Sequence, residues 1–141
     1  MRKESKLFLK VLLSFTLLGP FASFPVPHPA IFILGVIPAF FAGLFHAGIL
    51  NLVMRRTTFF HMPFDFFRCL YLGFPLGLLS GAFGVVMLWI GMAMHAALQG
   101  FTPMNFLGLN IIMRVYLAFG IAAGGILGAI VTPVVLRKHG S

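Results

Sequence analysis

From Val11 to Met54 the chain carries no Asp, Glu, Lys or Arg, and from Cys69 to Leu136 Arg114 is the single interruption. Runs of this length far exceed the roughly 18 apolar residues that mark one spanning helix. An ordinary soluble domain is about a quarter charged, whereas here 9% of 141 residues are charged and 60% are hydrophobic. A soluble fold of this size cannot cover so much apolar surface, so the chain belongs in a bilayer. The formal charge of +8 sits in short basic clusters beside apolar runs. That pattern anchors a protein at a membrane surface and excludes nucleic acid as the partner.

Four apolar segments are predicted as helices, at about 7–24, 30–53, 70–98 and 115–136, giving one all-α membrane domain over residues 1–141. The separators read FPVPHP, MRRTTFFHMPFDFFRC and QGFTPMNFLGLNIIMR. Pro25, Pro27 and Pro29 each remove a backbone donor, so the first separator suits an extended hairpin link. Lys and Arg mark the cytoplasmic side. Arg2, Lys3, Lys6 and Lys10, then Arg55, Arg56 and Arg68, then Arg137 and Lys138 all fall on one side of a four-span arrangement, and Arg114 alone falls on the other. Both termini are therefore expected in the cytoplasm, in a bundle of four transmembrane helices in the inner (plasma) membrane.

The first segment has a basic start like that of a signal peptide, and its uninterrupted apolar part is short. Lys10 intrudes into it and LGPFASFP lacks a well-placed pair of small residues, so a retained anchor is expected. The third segment is longer than a hydrocarbon core of about 30 Å requires. It must tilt, kink or protrude, and Pro75 offers a place to bend. Phe106 to Met113, an apolar stretch ahead of the fourth segment, either lies at the outer interface or extends the fourth helix.

Small residues recur at one spacing. Gly73, Gly77 and Gly81 lie four apart in the third segment, Gly120, Gly124 and Gly128 in the fourth, and Gly35, Ala39, Gly43 and Ala47 in the second. Residues four apart share a helix face, and in lipid close van der Waals contact drives helices together. These are read as three helix-packing faces with right-handed crossings. Such glycine zippers, of the GxxxG type, pack helices within one chain or between identical chains; the alternative is a glycine-lined pore or sliding interface in an oligomeric channel or transporter.

Chemistry-bearing residues are sparse. Glu4 and Asp65 are the only acids, and both lie outside the predicted spans. Small multidrug exporters resemble the chain in size and helix count but depend on a membrane-embedded glutamate, which it lacks. No catalytic motif, cofactor box or tight metal-ligand spacing occurs. Arg114 is placed near the outer interface, snorkelling outward, with an anion or a partner carboxylate as its alternative contact. His28 and His95 with Met92, Met94 and Met104 make a loose soft set for Cu(I), and methionine in apolar helices is more simply packing. His46, in FAGLFHAG, is expected to hydrogen-bond a neighbouring helix. In the middle loop, Phe64, Asp65, Phe66, Phe67 and Arg68 form either an interfacial anchor, with Asp65 and Arg68 paired, or a cytoplasmic docking surface.

These residues point to a non-enzymatic protein that acts through helix contacts with the bilayer and with another membrane protein or itself. It would be an accessory subunit of a membrane complex or a protector of the size and helix count of colicin-type immunity proteins. The alternative is a homo-oligomeric channel or small-solute transporter built on the glycine faces.

Overall fold

The computed structural model describes residues 3–23, 29–56, 65–100 and 111–137, and it is all-helical. The helices are α1 (Lys3–Ser23), α2 (Pro29–Arg56), α3 (Phe66–Leu98) and α4 (Ile111–Arg137). Each extends past the apolar run that predicts it, because a charge ends the hydrophobic pattern without ending the helical backbone. Pro29 opens α2 and does not belong to an extended link, since a first-turn residue needs no N–H partner. Arg55 and Arg56 close the same helix.

α3 starts four residues before the expected Leu70 because Asp65 caps it. The Phe67 N–H donates to Asp65 Oδ1 at 3.0 Å, and the Cys69 N–H donates to the Asp65 carbonyl at 3.1 Å. A side-chain oxygen at this position satisfies a donor that the first turn leaves open. At the other end Gly100 adopts φ +80° and donates to the Ala97 carbonyl at 3.1 Å. Glycine takes that left-handed position without a Cβ clash. The 33 residues of α3 make it about 50 Å long at 1.5 Å per residue. α4 begins at Ile111, so residues 111–113 extend the helix. Residues 101–110 lie outside the described residues.

The helices pack in the pairs α1·α2, α2·α3, α3·α4 and α1·α4. The core combines Leu7, Val11 and Phe15 of α1, Ala42, Ala47 and Leu50 of α2, Cys69 and Leu76 of α3, and Leu127, Val131, Val135 and Leu136 of α4. Leu7, Val11, Phe15 and Gly19 form a buried stripe four apart, so α1 turns one face wholly inward.

Outside, the surface is apolar. Leu13, Leu17 and Phe21 of α1, Ile37 and Phe40 of α2, Leu79 and Ile90 of α3, and Phe119, Ile126 and Ile130 of α4 are all exposed. Inside, the buried positions include three polar side chains, His46, Ser80 and Thr132. A water-soluble bundle distributes its residues the other way round. Three stretches are long and apolar enough to cross a membrane: Gly35–Arg55, Phe66–His95 and Arg114–Arg137, with mean hydropathies of 1.9, 1.9 and 2.1. The chain is therefore read as a membrane protein.

Candidate functional site

Small residues let the backbones approach. A Cβ added at Gly73 would strike the Gly128 carbonyl oxygen, one at Gly77 the Gly124 oxygen, and one at Gly81 the Gly120 oxygen. The pairs run in opposite order along the two helices, so α3 and α4 are antiparallel. The contacts are partly reciprocal, because a Cβ at Gly124 or Gly128 would meet the oxygen of Gly77 or Gly73. The glycine hydrogen standing in each Cβ direction thus points at a carbonyl of the opposite helix. Recurrent Cα–H···O contacts of this kind contribute about 0.5–1 kcal/mol each.

The α2 residues do different work. A Cβ at Gly43 would lie 2.7 Å from Phe15 Cβ and 3.1 Å from the Leu12 oxygen, and one at Gly19 would meet Ala39 Cβ. Gly43 and Ala39 therefore face α1. Gly35 and Ala47 are buried along the same stripe. α2 meets α3 at another glycine, Gly84, whose Cβ would strike the Pro38 oxygen and lie 3.1 Å from Ala42 Cβ. Gly19 and Gly84 stand apart from the sequence stripes, and their flanking residues do not distinguish them.

All four helices converge on His46. Its ring is 0% exposed, as are Ser80 and Thr132. The Ser80 hydroxyl donates to the Leu76 carbonyl at 2.6 Å, so its oxygen is left to accept the His46 Nδ1–H at 3.2 Å. His46 Nε2 then carries the lone pair and accepts the Thr132 hydroxyl at 3.0 Å. One imidazole proton and two hydroxyls satisfy the whole network. The Phe15 ring covers the remaining side, with centroids 4.7 Å apart and planes tilted by 34°. His46 thereby bonds to two helices where the sequence leads one to expect a bond to a neighbouring helix, and one of these bonds joins α2 to α4, a pair outside the main helix contacts.

Ser80 and Thr132 escaped the sequence reading, although a signal for Thr132 was present. It continues the Gly120, Gly124, Gly128 series by one more step of four. A Cβ at Gly73 would lie 2.7 Å from Thr132 Cβ and Oγ1, so the glycine next door gives Thr132 its room. Chemically the cluster is a brace. A serine nucleophile donates its proton toward a histidine lone pair, whereas Ser80 accepts from His46 and is closed to solvent.

The other candidates are dispersed. Phe66 and Phe67 are 52% and 76% exposed, and their rings meet edge to face with centroids 5.9 Å apart. Arg68 Nε lies 3.4 Å from Asp65 Oδ2, three residues back. Arg114 is exposed at the start of α4. His95 pairs with Gln99 one turn on, at 3.0 Å, and Met92 and Met94 are exposed. Phe64, His28 and Met104 lie outside the described residues. Among the described residues no group of three or more His, Cys, Asp or Glu comes together to hold a metal ion. Compared with models of protein families, curated proteins and solved structures, the chain matches none of them.

Proposed function

We propose that the chain is a four-span inner-membrane protein that binds another membrane protein through its lipid-facing surface, as an accessory subunit or a protector. The observation that carries this reading is where the small residues go. The α3 and α4 glycines meet each other, Ala39 and Gly43 of the α2 stripe meet α1, and His46 is buried against Phe15, Ser80 and Thr132 of the other three helices. Among the described residues these small-residue faces are covered by the protein's own helices, which leaves the lipid-facing surface for recognition. A channel or transporter packed on those glycine faces draws less support, since the faces are already covered within one chain.

In this reading α1 is the fourth span. Its 21 residues measure about 31 Å, close to the hydrocarbon thickness, and Leu7, Val11 and Phe15 are core residues that a removed leader would take away. Lys6 and Lys10, both exposed, reach back to the interface. With neighbouring helices antiparallel, the starts of α1 and α3 and the ends of α2 and α4 share one side. That side gathers the basic residues and is the cytoplasmic one.

The test is a photoreactive amino acid placed at lipid-facing Phe119 or Ile126 in the native membrane. The proposal expects a discrete adduct with one other polypeptide, absent when the same group replaces buried Leu127. Adducts with lipid alone, or with a second copy of the chain, would count against it.

A further inference from the structure

An open groove runs along the start of α3, lined by Phe67, Arg68, Tyr71, Leu72 and Pro75. Its walls are apolar except for one guanidinium and one phenol hydroxyl. Tyr71 is 85% exposed and Phe67 76%, at the end of a stretch long and apolar enough to span a membrane. Aromatic rings at such a position sit at headgroup depth.

Charge says what fits there. Arg68 is held at the groove by Asp65, which approaches its Nε side, and both side chains are about half exposed. A guanidinium presents a planar fork that matches the oxygens of a phosphate. The same end of the helices carries Lys6, Lys10, Arg55 and Arg137, so the surrounding field favours an anion. Size argues against a protein occupant, because a stable protein interface covers about 800 Å² on each side and this groove is formed by five residues of one helix.

We propose that the groove is a binding site for an anionic phospholipid. The phosphate lies between the Arg68 guanidinium and the Tyr71 hydroxyl, and the upper acyl chain lies along Leu72 and Pro75. The site depends on α3 spanning a bilayer and is independent of whichever protein the outer surface recognises.

Native mass spectrometry of the full chain in mild detergent tests it, with phosphatidylglycerol or phosphatidylcholine of identical acyl chains as the added lipid. Phosphatidylglycerol should be retained about fivefold better, the factor that one basic residue near an anionic surface contributes. Arg68→Gln should remove that preference and Tyr71→Phe should reduce it, each with an unchanged helical circular dichroism spectrum. Arg114→Gln, at the opposite end of the helices, should keep it. Equal retention of the two lipids, undiminished preference in Arg68→Gln, or an equal loss in Arg114→Gln would overturn the proposal. Displacement of the lipid by millimolar inorganic phosphate would also overturn it, by making the site one for a free anion.

Discussion

Adding one methyl group at Gly124 should loosen the α3–α4 contact, and the structure sets the size of the effect. In Gly124→Ala the new Cβ would lie 2.7 Å from Gly81 Cα and 2.8 Å from Gly81 N, and would strike the Gly77 oxygen. Ordinary contact begins at 3.4 Å, and the obstructing atoms are backbone, so no rotamer change relieves them. α3 must retreat by about 1 Å, a gap that forfeits up to about half of each nearby dispersion well of 0.1–0.2 kcal/mol. If about 40 atom pairs along the glycine faces feel that gap, the loss is about 2–4 kcal/mol. Alanine's better helix propensity returns about 1 kcal/mol, leaving a net destabilisation of about 1–3 kcal/mol. Gly91→Ala is the matched control, because a Cβ there meets nothing within 4 Å and only the propensity gain applies. The assay is unfolding in a denaturing detergent series, followed by helical circular dichroism. A Gly124→Ala protein as stable as Gly91→Ala would refute the close backbone contact.

Removing the central ring should cost more. His46→Ala deletes two buried hydrogen bonds, worth about 0.6 kcal/mol each on average in membrane proteins, and leaves a cavity where an aromatic ring was, so a loss of about 3 kcal/mol is expected in the same unfolding assay. Thr132→Val keeps the volume and leaves Nε2 without its donor, for a loss of about 1–2 kcal/mol. Combined with His46→Ala it should add little, because both changes remove the same bond, and full additivity would contradict the bond itself. Topology is checked with single cysteines at Ser5, Gln99 and Ser141 in a Cys69→Ser background and a membrane-impermeant maleimide. Position 99 should label on intact cells and positions 5 and 141 only after permeabilisation; labelling of position 5 from outside would place α1 elsewhere.

The membrane character and the helices were legible because uncharged runs of such length have one physical solution. Helix ends were less so. Arg55 and Arg56 closed the hydropathy pattern of α2 while its backbone continued, and Asp65 began α3 within a stretch that reads as loop. The spacing of four at Gly73, Gly77 and Gly81 announced a small face but could not say what lies against it. A stripe of glycines carries no shape or charge to distinguish another helix of the chain from a second copy. The bonding partners of His46 were hidden for a related reason. Ser80 and Thr132 are 34 and 86 residues away from it, and only the packing of α2, α3 and α4 brings all three to one depth.

The central claim is that the interior is closed on itself and that recognition falls to the outer surface. Its most direct test is native mass spectrometry of the tagged chain, extracted gently from its own membrane, followed by dissociation of whatever it carries. One copy of the chain with a second polypeptide in fixed stoichiometry is the predicted result. A discrete homo-oligomer without any other protein would contradict it and return the glycine faces to a channel or transporter.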